Sequence, residues 1–385
     1  MLKKKTLFII ILLVFVIINF AFYYVLISKF PNYTDDLGNI NVNNLHFFFG
    51  RVIDNLIQDN NYYFIHGYHG LNVNYVMGRL PFIPIFLTLI IKFISQNYLI
   101  ILIIKNIIFF TITFLVISKF FDTKKFLIIS FLLFVYNPHN LFTSLSLIPE
   151  EGYISYLLII LFLTVYKMSS LKDIYLASFI LIIIFLTKAS MIYLSYTLSL
   201  YLFFKFKKSY NIFYSSIPLI FIFIGYTMWA SFGYYKTGKI ISPMSISTMS
   251  GSTLIVSSNK KFKNYYHLQT PDILESKMWK KHEKNLFIND KMMDEFEIND
   301  YFVSESISYI LNNKFEFIEV CLKKFHVIFT NIKKDAQVFN SSGYNSLRLS
   351  NIPNKIILII SFLIIFKNFI LKKYDELDVI FALTF

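Results

Sequence analysis

The chain has 385 residues, 56% of them hydrophobic, with a mean hydropathy of +0.57; this excludes an ordinary soluble domain and reads as a multi-pass membrane protein. Lys and Arg outnumber Asp and Glu to give a net charge of +14. The excess reads as cytoplasmic loops facing anionic headgroups, on top of an AT-rich bias towards Ile, Asn, Lys and Phe, so no nucleic-acid partner is expected. Cys321 is the only cysteine, which rules out an intrachain disulfide and a cysteine metal cluster.

The chain opens with lysines at 3–5 and an apolar run from Leu7 to about Ile27. The run is longer than a usual signal-peptide core and lacks a small-x-small cleavage site, so it reads as an uncleaved first helix. Further spans are expected at about 98–118, 126–147, 153–167, 174–187, 190–206, 211–231 and 354–371. Another apolar run begins near Leu377 and reads as the start of a further helix, cut off at Phe385. The expected fold is an all-α integral membrane protein, a multi-pass bundle of about 8–9 spanning helices with external loop helices.

Lysines at 3–5, 124–125, 167, 172, 205–208 and 372–373 mark the cytoplasmic side. This alternation closes only if Pro81 to Ser95, short and twice broken by proline, is an interfacial or re-entrant helix. Loop 29–80, the turn at Pro149–Gly152, Lys188 and segment 232–352 then face outside the plasma (inner) membrane, with the N-terminus cytoplasmic. Three regions follow: a membrane module over 1–231, an extracytoplasmic region over 232–352, and a C-terminal membrane segment over 353–385. Within the second, Gly233 to Asn259 is rich in Gly, Ser and Thr and is expected over the membrane surface. From about Pro271 to Asn331, Ile298, Phe302, Ile307, Ile310 and Leu311 recur at helical spacing.

Ionisable residues beside hydrocarbon are costly and therefore candidates for function. Asp35 and Asp36 follow the first helix; they suit a polar turn, or a general base just outside the membrane. Arg51, Arg79 and Arg348 are the only arginines and all fall on the expected outer face. In so lysine-rich a chain, a retained arginine fits a need for the planar fork that grips phosphate. Asp54 lies in the same loop as Arg51. Lys188 either snorkels to the headgroups or neutralises a lipid-linked phosphate. Glu150 and Glu151 suit the start of a helix, or catalysis. His66 and His69 in HGYH have a metal-compatible spacing without further nearby ligands, and read as loop histidines. No nucleotide-binding, hydrolase or zinc-protease motif occurs.

In this order, the landmarks resemble the GT-C superfamily of membrane glycosyltransferases, in the bacterial branch near the protein O-mannosyltransferases and lipid A aminoarabinose transferases. The resemblance rests on Asp35-Asp36 in the first external loop, GRLPFIPIFL from Gly78 to Leu87, YNPHN from Tyr136 to Asn140 and IPEE from Ile148 to Glu151. It continues through LTKAS from Leu186 to Ser190, then MWASFGYYKTGKIISPMS and STMSGSTL. It spans roughly residues 1–330, with Asp-Asp where the family has Asp-Glu, and with Ala-Ser rather than Gly-Pro after Lys188.

The resemblance implies transfer of a sugar from a polyprenyl-phosphate donor to an acceptor hydroxyl of a protein, lipid or glycan, with inversion. Asp35 or Asp36 would be the base, and Arg51, Arg79 and Lys188 would hold the donor phosphate. Glu150 and Glu151 are secondary acidic candidates, and no cofactor or metal is expected. The alternatives are a lipid-linked-sugar transporter or flippase, expected to carry charges deep within helices, and an inactive, truncated scaffold. The charges are expected to gather at one face, which favours the transferase.

Overall fold

A computed structural model describes residues 49–67, 71–120, 150–166, 170–259 and 271–330, with scattered positions between 6 and 41. The described chain is mainly helical and divides into two compact units. The first takes in the described parts of Met1–Ile57 and Pro81–Thr227, the second those of Gln58–Leu80 and Met228–Arg348.

In the first unit, helix α1 (Phe49–Gln58) buries Val52 and Ile53. Helix α2 (Phe82–Phe93) occupies the stretch expected to be re-entrant; its last-turn Lys92 donates to the Leu56 carbonyl at 2.8 Å. Helix α3 (Tyr98–Phe120) is started by Asn97, whose Oδ1 accepts from the N–H groups of Leu99 and Ile100. Helices α4 (Glu150–Tyr166), α5 (Leu171–Phe185) and α6 (Ile192–Lys207) follow as consecutive hairpins. The start of α5 is fixed by Asp173, whose carboxylate accepts from both the N–H and the hydroxyl of Ser170. At the far end of α6, Lys205 Nζ donates to the Val165 carbonyl at 2.9 Å, so α4 and α6 finish together. A long helix, α7 (Ile217–Thr237), begins in this unit, where a Cβ at Gly225 would meet Ile182 of α5 at 2.7 Å. Among the described residues, α7 is the one helix long and apolar enough to cross a membrane.

The second unit is built around α8 (Ser250–Ser258) packed on α10 (Glu295–Asn312), with α9 (Pro271–His282) alongside. Gly251 makes the close approach possible: its N–H donates to Asn299 Oδ1 at 2.9 Å, and a Cβ there would stand 2.3 Å from the Asn299 carbonyl oxygen. A hairpin of β1 (Phe64–His66) and β2 (Val73–Tyr75), from the stretch between α1 and α2, belongs to this unit and pairs Phe64 with Tyr75 and His66 with Val73. A second, two-residue hairpin, β3 (Phe287–Ile288) with β4 (Lys291–Met292), leads into α10. Helix α11 (Lys314–Thr330) closes the described chain. The Ser/Thr-rich stretch expected over the membrane surface is drawn into this unit's core, where Ser247, Thr248, Ser252 and Ser258 are buried.

Candidate functional site

Lys188 stands in the turn between α5 and α6, half-buried and with extended backbone. Thr187 is tied back through its hydroxyl to the Ile183 carbonyl at 2.6 Å, and the Lys188 carbonyl accepts from Met191 N–H at 2.9 Å. Two residues before Lys188, the Leu186 carbonyl accepts from Phe82 N–H at 3.1 Å. The first turn of α2, which follows the arginine–proline motif, is thereby bonded to the LTKAS turn. Because α4 and α5 form a hairpin, the first turn of α4, with Glu150 and Glu151 in its sequence, starts at this same end. Lys172, Lys205 and Lys207 occupy the opposite one.

Arg51 is exposed on α1, one turn from Asp54 on the same face. Asp35, Asp36, His69 and Arg348 lie outside the described residues. Their described neighbours Thr34 and Ile40 pair as an isolated antiparallel bridge, and Asn39 pairs with Asn97. Ile40 N–H donates to the Gln96 carbonyl at 2.8 Å. This places the flanks of the acidic pair at the end of α2 opposite to Phe82, and a helix of 12 residues is about 18 Å long. The described contacts therefore join the LTKAS turn to the first turn of α2 but do not join it to the flanks of Asp35-Asp36.

Arg79 belongs to the second unit. It is half-buried, and its carbonyl accepts from the Tyr62 hydroxyl at 2.9 Å. Burial pushes the Tyr62 hydroxyl well above its ordinary pKa, with the Arg79 charge offsetting only part of the rise. Tyr62 also packs edge-on against Trp229 and Phe232, and the Trp229 indole donates to the Ile246 carbonyl at 2.9 Å. His66 is buried on β1 against Tyr75 and Trp279, with Nε2 3.9 Å from Glu275.

Two polar centres escaped the reading of the sequence. Lys105 on α3 is only 4% exposed; its Nζ lies 5.3 Å from the ring centre of Tyr153, and Asn106 beside it is also buried. A buried cation is costly, and the tyrosine face repays part of the cost. The signal was plain, because Lys105 is the one charge early in a span expected to be apolar. It corrects the view that the charges gather only at one face.

The second centre is Glu295, 3% exposed at the first turn of α10. One oxygen accepts from Val76 N–H at 3.1 Å and the other from Met77 N–H at 3.1 Å and the Thr248 hydroxyl at 2.6 Å. This carboxylate fastens the residues after β2 and the Ser/Thr-rich stretch to α10.

No family model, curated protein or solved structure matches the chain.

Proposed function

We propose that this chain is a multi-pass membrane glycosyltransferase that takes a sugar from a polyprenyl-phosphate donor and passes it to an acceptor hydroxyl on the extracytoplasmic face. The observation that carries the proposal is the bond between Phe82 and Leu186. It holds the turn bearing Lys188 against the start of α2, at the end of the bundle where α4 begins. A cation fixed in a turn at the end of apolar helices suits a phosphate whose lipid tail runs between them.

In the proposed step, the acceptor oxygen bonds to the anomeric carbon as the carbon–oxygen bond to phosphate breaks. The electron pair leaves with the phosphate and the acceptor proton goes to a base, for which the resemblance offers Asp35 or Asp36, although their described flanks lie at the other end of α2 from the Lys188 turn. Lys188 and Arg51 stabilise the charge that grows on the leaving phosphate, which lowers the barrier more than it tightens substrate binding. Arg79 is a further phosphate candidate on the strength of its motif.

The test compares glycans and glycolipids, by mass spectrometry, in cells carrying the protein, lacking it, or carrying Asp35→Asn, Asp36→Asn or Lys188→Gln at equal abundance. Loss of one defined sugar from one acceptor class is expected without the protein, with Lys188→Gln and with one of the aspartate variants. An unchanged profile in cells lacking the protein would overturn the proposal.

Lys105 is the observation that favours a second reading, transport of a lipid-linked sugar, because it is an ionisable group inside an apolar helix. Purified protein in liposomes with donor and acceptor on the same side separates the two. A transferase forms product there and a transporter does not.

A further inference from the structure

Helix α11 carries an apolar stripe that the second unit does not cover. Phe315 is 88% exposed, Ile318 53% and Leu322 64%, at the three- and four-residue spacing that aligns side chains along one helix face. Val320, on the other side of the helix, is buried, so the orientation of α11 is fixed and the stripe faces outward. In the sequence, Phe325 and Phe329 continue the same spacing, and Ile307 and Leu311 are also exposed on the preceding helix. A contiguous exposed apolar strip of this kind marks a binding surface.

We infer that the stripe on α11 lies in the interfacial layer of a lipid bilayer, with the helix axis along the membrane surface. Lys314, exposed at the start of the stripe, would meet anionic headgroups while Phe315, Ile318 and Leu322 enter the acyl boundary, and the sequence carries two more lysines, Lys323-Lys324, before Phe325. Glu316 is drawn away towards α10, where it accepts from the Tyr309 hydroxyl at 2.9 Å. Glu319 is the acidic residue left at the margin of the stripe. A second copy docked on this face would bring the lysines of two helices together, whereas a headgroup layer neutralises them. The sequence beyond α11 reaches an apolar run of spanning length at 354–371, which is expected to enter a bilayer. The inference rests on the membrane reading of the chain and is independent of the transfer chemistry.

Cys321, the only cysteine, makes the test direct. In a Cys321→Ser background, single cysteines at Ile318, Leu322, Glu316 and, as a spanning reference, Phe223 of α7 are labelled with an environment-sensitive fluorophore. The full chain is then placed in nanodiscs of phosphatidylcholine and phosphatidylglycerol, with and without brominated phosphatidylcholine.

Labels at 318 and 322 are expected to shift to the blue and to be quenched at a depth of about 5–10 Å. The label at 316 should be quenched far less, and that at 223 at greater depth. Quenching at 223 but not at 318 or 322 would overturn the inference while leaving the membrane reading intact. Absence of quenching at all positions would overturn both. Equal quenching at 316, 318 and 322 would rule out a helix lying at the surface. Oxidative dimerisation through native Cys321, with 318 and 322 unquenched, would assign the stripe to a second copy instead.

Discussion

Two neighbouring acids at the start of α10 respond to pH in opposite directions. Burial raises the pKa of Glu295, and its hydrogen bonds from Thr248, Val76 and Met77 offset only part of the rise. A carboxyl raised by folding contributes stability that is fully present below its unfolded pKa and lost as pH rises through the folded one. Asp294 is also pushed up by burial, but Lys239 and the N–H groups of Glu297 and Phe296 more than offset this, so it is lowered overall. Its contribution is present above the unfolded value and lost as pH falls through the folded one. Both tryptophans, Trp229 and Trp279, lie in the second unit, so their fluorescence follows its unfolding. Between neutral pH and the ordinary carboxyl range, Glu295→Gln is expected to remove part of the gain that wild type shows on acidification. Glu295→Ala leaves the Val76 and Met77 N–H groups and the Thr248 hydroxyl without an acceptor and should cost roughly 2–4 kcal/mol at either pH. Denaturant titrations of the full chain in detergent, read by tryptophan emission at the two pH values, check both. An unchanged pH response in Glu295→Gln would mean that the carboxyl does not titrate in this window.

At the scale of elements, α8 and α10 are held at backbone distance by Gly251. Gly251→Ala directs its methyl at the Asn299 carbonyl oxygen, a backbone atom that cannot swing aside as a long side chain would. The helices must part, at a cost of about 1–3 kcal/mol, and tryptophan-detected unfolding of the second unit should shift to lower denaturant by that amount. A change of no more than a few tenths would show that α8 slides freely on α10. The glycine was visible in STMSGSTL but its partner was not, because Asn299 lies far along the chain. The spacing of Ile298, Phe302, Ile307 and Leu311 made α10 legible as a helix, yet it joined two faces. Ile298 and Phe302 are buried, while Ile307 and Leu311 are exposed. Periodicity reports that side chains align and does not report what covers them. The hairpin of β1 and β2 escaped for the opposite reason: three residues per strand are too few to show alternation. Of the candidate site, the LTKAS turn and the start of α2 were legible as separate motifs, but the bond from Phe82 to Leu186 that joins them is a backbone contact with no side-chain signature. Lys105 was legible and missed.

For the whole molecule, the membrane proposal turns on whether helices of this length cross a bilayer. Helices α4, α5 and α6 have 17, 15 and 16 residues, or about 22–26 Å at 1.5 Å per residue, against a hydrocarbon core of about 30 Å. Helices α3, with 23 residues, and α7, with 21, reach that length, and among the described residues only α7 is both long and apolar enough to cross. Short helices span by thinning the bilayer around them or by flanking residues that reach outward. Lys205 folds back onto the Val165 carbonyl at one end of this bundle, and the turn after α5 adds the 3-10 segment Ala189–Met191 at the other. If α4 to α6 cross, the turn at Lys188 and the end of α6 face opposite compartments. In a Cys321→Ser background, a cysteine at Ser190, which is exposed in that turn, should react in intact cells with a membrane-impermeant maleimide. One at Lys207 should react only after the membrane is permeabilised. Equal reaction at both sites in intact cells would place the two ends on one side. It would reduce α5 and α6 to a re-entrant hairpin and remove the compartment boundary on which a donor-phosphate site at Lys188 depends.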